Sequence, residues 1–117
     1  MHIESFRTFC LSFKGVTESF PFDQKTIVFK VGNKMFALAD IEEFESFNVK
    51  CDPERAVDLR ERYQAVKPGY HMNKTHWNTV SVNMDLNDND LEEQISHSYD
   101  LILNSLPKKL QDEIKGG

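Results

Sequence analysis

"TIVFKVGNKMFALADI", residues 26–41, is the stretch on which the fold turns. Ile27, Phe29 and Val31 fall on one side of an extended chain, and Val28 and Lys30 on the other, because successive side chains of a strand point to opposite faces. Gly32-Asn33 supplies two residues that tolerate positive φ, as the tight turn of a two-residue hairpin demands. Met35 to Ala39 form the return strand. The stretch therefore predicts an antiparallel β-hairpin, and a hairpin needs partners to cover its apolar side.

Those partners lie on both flanks. Upstream, Ile3, Phe6, Cys10 and Phe13 recur at three- and four-residue steps, predicting a helix over 2–14 with one apolar face. Gly15 is the expected stop. Pro21 breaks the following segment, and Phe20 and Phe22 beside it are expected to pin that loop to the core. Downstream, Phe47, Val49 and Cys51 alternate with Ser46, Asn48 and Lys50, predicting a third strand. Asp52 then offers a capping carboxylate and Pro53 a first helical position that loses no hydrogen bond. Ala56, Leu59, Tyr63 and Val66 would face the core from this second helix. Trp77 to Met84 alternates again, with Asn78, Val80, Val82 and Met84 on one face and Trp77, Thr79, Ser81 and Asn83 on the other. The polar turn "LNDND", rich in capping residues, leads into a last long helix from about Asp90 to Ser105. There Leu91, Ile95, Tyr99, Ile102 and Leu106 face inward, and Pro107 closes it. A short tail helix and a frayed end are expected beyond. The order α-β-β-β-α-β-α, with strands joined by short turns, predicts a two-layer α+β domain: an antiparallel sheet with helices on one face. No linker or internal repeat divides residues 1–117, so one domain is expected.

The bulk composition narrows the function. With 39% hydrophobic and 28% charged residues this is an ordinary globular chain. No apolar run approaches the roughly 20 residues of a membrane span. The N-terminus lacks a basic start and an unbroken apolar centre, so the expected compartment is the cytoplasm. Cys10 and Cys51 are far apart and read as small buried apolar residues rather than a disulfide or zinc framework. The net charge of −5 is uneven. Residues 77–117 carry −5, whereas residues 25–76 carry +1. Within the latter, "YHMNKTHWNTVSVNM", residues 70–84, holds two histidines, a lysine, three asparagines and the only tryptophan, with no acid.

"KPGYHMNKTHWNTVSV", a polar turn and "LEEQISHSYDLILNSLPKK" together resemble the MmcQ/YjbR family over nearly the whole chain. The Pro-Gly-Tyr-His-Met-Asn-Lys core with the following His-Trp-Asn-Thr-Val is the most specific part. The Ser98-Tyr99 pair and the closing Leu106-Pro107 add support. The resemblance implies a CyaY-like fold, and DNA binding through a double-wing arrangement. The acidic first-helix ridge by which CyaY-type proteins are associated with iron is not carried over, because the first helix holds only Glu4.

Other chemistries fit less well. His71 and His76 lie five apart and His97 is remote, with no nearby Cys, Asp or Glu to complete a zinc set, so no metal site is expected. Asp85, Asn87 and Asn89 sit at calcium-loop spacing, but Asp90 and Ser96 replace the glycine and the bidentate acid of such a loop, which makes a helix-capping turn the better reading. No nucleophile–base pair, phosphate-cradling glycine loop or dinucleotide fingerprint is visible, so neither enzyme activity nor a cofactor is expected. On the DNA reading, Lys67, His71, Lys74 and His76 meet phosphates, and Asn73 and Asn78 reach phosphates or base edges. Tyr70 belongs to the same segment, Trp77 stacks or wedges, and Lys25, Lys30 and Lys34 form a second wing. On the alternative reading, the same His/Asn/Lys/Trp segment binds a small anion or a protein partner. The bland readings are a solvated loop at Lys74, a turn at Asn73, and Trp77 packed at the edge of the core. A continuous positive face through Lys30, Lys34, Lys67 and Lys74 would favour DNA. Lysines interrupted by Glu42, Glu43 and Glu45 would favour the ligand.

Overall fold

The structure, a computed structural model, describes residues 1–116. The hairpin forms as its alternation dictates: β2 (Thr26–Val31) and β3 (Lys34–Asp40) pair antiparallel, and the turn places Gly32 at φ 56° and Asn33 at φ 65°. Both dihedrals lie in the left-handed region that Gly and Asn tolerate best. Around this hairpin the sheet grows to six strands in the order β1-β2-β3-β4-β6-β5, every neighbouring pair antiparallel. Here β1 is Val16–Ser19, β4 is Ser46–Lys50, β5 is Val66–Pro68 and β6 is Trp77–Ser81. Helices α1 (Ile3–Leu11), α2 (Pro53–Arg62), α3 (Asp88–Ser105) and α4 (Lys108–Gly116) complete the chain.

The α+β class with helices over one face is as the pattern predicts. Ile27, Phe29, Phe47, Val49 and Val80 from the sheet join Phe6 and Cys10 of α1, Ala56 and Leu59 of α2, and Leu91 and Ile95 of α3 in one buried cluster. Phe6 is its aromatic node, with ring centroids 5.6 Å from Phe29, 5.2 Å from Phe44 and 5.1 Å from Phe47. Four details differ from the sequence reading. Two short edge strands, β1 and β5, extend the expected order. Val66 lies in β5 rather than on α2, which ends at Arg62. The strand expected to reach Met84 stops at Ser81, so Met84 is exposed while Val82 is still buried. Phe20 and Phe22 are exposed rather than pinned to the core. The tail helix forms as expected, and the fraying expected at Gly117 lies outside the described residues.

Polar groups finish the elements. Asp52 caps α2 by accepting from Arg55 N, and Asn87 and Asp90 form a reciprocal capping box at the start of α3. Asp85 accepts backbone bonds from Gln64 (2.9 Å) and Ala65 (2.8 Å), so its carboxylate ties the turn after α2 to the approach of α3. Regular pairing of β3 with β4 stops at Ala37–Val49. One residue further on, the buried Ser98 hydroxyl donates to Phe36 O (2.6 Å) and accepts from Lys50 N (2.8 Å). A side chain of α3 thus takes the place of a ladder bond where β3 bulges. Tyr99 beside it donates to Lys14 O at 2.6 Å, which fixes the turn that follows α1.

Candidate nucleic-acid interface and groove

Pairing across the sheet sets which side chains leave the helix-free face. Ser19, Val28, Leu38, Asn48, Thr79 and Lys67 lie in register, one from each strand, and form a row across that face, in which Val28 and Leu38 are themselves buried. Thr17 and Lys30 pair in the next row, with Met35 opposite Lys30 and, further along, Lys50 opposite Trp77. On the other side of the first row stand Thr26 opposite Asp40, and Ser46 opposite Ser81.

This arrangement polarises the open face along the strands. At the hairpin-turn end lie Lys30, Lys50 and Trp77, next to the loop carrying Lys74 and His76; Lys34 is at the same end but pairs with the buried Val31, which puts it in the helix-side register. At the far end lie Asp40 and the segment bearing Glu42, Glu43 and Glu45. Lys67 is in the middle row, four strand spacings from the β2 column and hence roughly 19 Å away across the sheet. A shallow groove of about 890 Å³ occupies the middle and acidic parts of the face. Its floor includes Leu38, Asn48 and Thr79, with Phe22 on one wall and Tyr70, His71 and Met72 on the other; Asp40, Glu43 and Glu45 stand at its acidic end.

The loop that forms the second wall is held by contacts within itself and from behind. Thr79 Oγ1 accepts from Tyr70 N (2.9 Å) and donates to Asn48 Oδ1. Asn73 Oδ1 accepts from Thr75 N (2.9 Å) and His76 N (3.2 Å), the self-bonded turn geometry that Asn favours. Lys74 Nζ folds back onto Gly69 O at 3.1 Å. His71 adopts φ 59°, and its ring centroid lies 4.0 Å from that of Tyr70. Gly69 is buried against β6, where an added Cβ would come within 2.8 Å of Trp77 Cβ and 3.0 Å of Trp77 O. From α2, Arg60 donates to Asn78 Oδ1 (2.8 Å), Trp77 O (3.2 Å) and Lys74 O.

The predicted site residues therefore separate into groups. Lys67, Tyr70 and His71 line the groove. Lys30, Lys34 and Trp77 belong to the basic end, and Trp77 is half-buried on the open face, outside the main core cluster. His76 is exposed beside them, its carbonyl accepting from Cys51 N at 2.8 Å. Asn73 and Lys74 shape the loop. Asn78 cannot meet a nucleic acid as expected: it is fully buried on the helix side, because even-numbered residues of β6 face inward. Lys25 is paired with Glu42 at 3.2 Å rather than free as part of a wing. Lys50 and Arg60 were missed. Lys50 has no signal apart from strand order, and Arg60 reads as an ordinary solvated arginine of a helix's last turn. His97 lies in the other layer on α3, away from His71 and His76. Burial pushes the Cys51 thiol up to about 11 and raises that of Cys10 as well, so both stay protonated at neutral pH. Among the described residues no helix is long and apolar enough to cross a membrane.

Similarity to other proteins agrees with this architecture. The chain is 31% identical to the uncharacterized protein YbdF of Escherichia coli O157:H7 over 115 residues, 97% of this chain and 94% of that one. It is 31% identical to the uncharacterized protein YjbR of Escherichia coli K12, covering 93% of each. The crystal structure of Deinococcus radiodurans protein DR2400, with domain DUF419, superposes with a TM-score of 0.91 at 36% identity over 97% of this chain and 88% of that one. A Pseudomonas syringae protein shares the fold at a TM-score of 0.74 and 24% identity, over 87% of this chain and 99% of that one. The YjbR family model matches residues 11–101, which span the hairpin, the Tyr70–Trp77 loop and most of α3, and the chain belongs to that family.

Proposed function

We propose that this chain is a non-enzymatic DNA-binding protein of the cytoplasm that meets phosphates through the basic end of its open sheet face. One observation carries the reading: Lys30, Lys50 and Trp77 stand on one face at the hairpin-turn end of the sheet, beside the Lys74 loop. Lys30 of the hairpin and Trp77 of the acid-free segment, 47 positions apart in sequence, thereby share one surface, with Lys50 between them. Ammonium groups at strand spacing suit a phosphate backbone, and a partly exposed indole among them offers a stacking platform. The open-face acids stand at the opposite end, which reconciles phosphate binding with an overall charge of −5. Lys67 shares its groove with Asp40, Glu43 and Glu45, so the positive face is not continuous through Lys67 as the DNA reading expected, and the interface is confined to the hairpin-turn end. Two protonated cysteines offer no thiolate nucleophile, in keeping with a non-enzymatic role.

The test is anisotropy of labelled duplex and single-stranded oligonucleotides. Lys30, Lys50 and Lys74 on phosphates give a log–log salt slope of about −2.7, so affinity should fall roughly 40-fold between ~50 and ~200 mM salt. Lys50→Glu should weaken binding at least ~10-fold, the effect expected when a phosphate contact becomes a repulsion. Lys74→Glu is a poorer probe, because Lys74 also braces the loop through Gly69. Lys67→Glu should change little. Absence of saturable binding at the lower salt, binding that is no weaker at the higher salt, or equal damage from Lys67→Glu and Lys50→Glu would each refute the interface.

A further inference from the structure

The groove beyond the basic end has a chemistry that phosphate contacts do not use. We infer that it is a docking site for a protein partner's segment carrying a bulky apolar side chain flanked by lysine or arginine. The volume, about 890 Å³, lies at the upper end of the range for ligand sites, roughly 300–1,000 Å³. Its walls are aromatic and unusually exposed: Phe22 is 63% and Tyr70 67% accessible. These two exposed aromatics leave surface that an apolar side chain would remove from water, at about 25 cal/mol per Å², whereas the floor, Leu38 with Asn48 and Thr79, is mostly polar or already buried. Between the walls, Asn48 and Thr79 are already bonded to each other and to the Tyr70 backbone, so the second wall is fixed before any partner arrives. Preformed walls lower the ordering cost of binding.

Charge selects the occupant. At the acidic end Asp40 Oδ1 accepts from Glu42 N and Glu43 N, which fixes the turn that carries the glutamates. Among the described residues neither Glu43 nor Glu45 has an ion-pair partner, whereas Glu42 is paired with Lys25. Asp40, Glu43 and Glu45 outnumber the one lysine of the lining, Lys67, by three charges to one, so the groove attracts a cation more than an anion and a small anionic ligand is disfavoured here. A second copy of the chain is a weaker fit. The sheet face spans about six strands by five residues, roughly 29 Å by 17 Å, which is short of the ~800 Å² per partner of a standard interface. A short basic-apolar segment matches both the size and the sign.

The probes are three synthetic tetrapeptides, acetylated and amidated: Lys-Leu-Tyr-Lys, its charge-reversed form Glu-Leu-Tyr-Glu, and Lys-Gly-Ser-Lys. Each is titrated into the full-length ¹⁵N-labelled chain while amide shifts are followed. The first peptide should move the amides of Leu38, Asn48, Tyr70, His71 and Thr79, and affinity should drop at least ~10-fold for the Glu43→Lys/Glu45→Lys double variant and for the charge-reversed peptide. Shifts confined to the Lys50–Trp77 end, or none with the first peptide, would overturn the proposal. So would equal binding of Lys-Gly-Ser-Lys, which would mean that the apolar walls are idle. Groove shifts that grow with protein concentration alone, accompanied by dimer sedimentation, would assign the face to a second copy and also overturn it. Because these amides differ from those at the basic end, the outcome is independent of whether DNA binds.

Discussion

Arg60 leaves the last turn of α2, reaches three acceptors on the signature segment, and sets the shape of a loop to which it does not belong. Its guanidinium holds the carbonyls of Lys74 and Trp77 and the side-chain oxygen of Asn78, a residue that is fully buried. Removing it leaves Asn78 Oδ1 without its donor in a dry site, and Asn78 Nδ2 already has no partner among the described residues. Hydrogen bonds from a charged donor contribute about 1.5–3 kcal/mol, and an orphaned buried acceptor adds to the loss. Arg60→Met should therefore lower stability in urea titration by roughly 2–4 kcal/mol. It should also raise hydrogen exchange at Trp77, whose amide bonds Asn73 O inside the loop. Exchange there unchanged from wild type would show that Asn73 and Lys74 suffice to hold the loop. Sequence reading found the loop but not its clamp. Asn73 is legible because its side chain acts within its own turn, whereas Arg60 acts across 14 to 18 residues, and nothing local marks such a contact.

At the scale of elements, α2 and α3 meet at a histidine. His97 Nε2 accepts from the N–H of the α2 cap residue Asp52 at 3.2 Å, and Arg55 Nη1 lies 3.4 Å from Nδ1. Burial first and the Arg55 charge second hold the imidazole below the usual histidine range; Asp52, Asp100 and Glu93 oppose this without reversing it. The unfolded chain then binds the proton more readily than the folded one, so stability rises with pH between the folded and unfolded values. The full contribution is present above about pH 6.5, the unperturbed value, and fades as pH falls through the lower folded value. Glu18, Asp23 and Asp85 all lie below the ordinary carboxylate range, because Arg7 or backbone N–H groups bond them, so their losses come at more acid pH. Denaturation midpoints measured from pH 7 to pH 5 should fall for the wild type and stay flatter for His97→Gln; equal slopes would remove His97 from the account. The helices and the hairpin could be read from periodicity and caps, since each carries several turns or a matched pair of strands. The edge strands β1 and β5, of four and three residues, could not: so few positions do not define an alternation, and their pairing is set by neighbours far along the chain.

For the whole molecule, the strand order β3-β4-β6-β5 decides what the surface offers. It brings Lys30, Lys50 and Trp77 to one end and Glu43, Glu45 and Tyr70 around the groove. None of this polarity is visible in a linear charge count, which shows only an acidic C-terminal third. That order holds because both layers close on a single core, so the open face should persist only while α1 is docked. Phe6 is the residue of α1 through which that docking is concentrated, fully buried against Phe29 of β2, Phe47 of β4 and Phe44 of the connecting turn. Truncating a buried phenylalanine costs about 3–5 kcal/mol in lost burial and residual cavity. A chain of this length has roughly 6–18 kcal/mol in total at 0.05–0.15 kcal/mol per residue, so the loss is a large fraction of the whole. Phe6→Ala should lower the thermal midpoint by at least ~10 °C, at a few degrees per kcal/mol for a domain of this size. Far-UV and near-UV circular dichroism should still report one coincident transition, because helices and sheet share the cluster. If α1 instead melted first and left a folded sheet, the two signals would separate, and the basic end and the groove would then have to be treated as properties of the sheet alone.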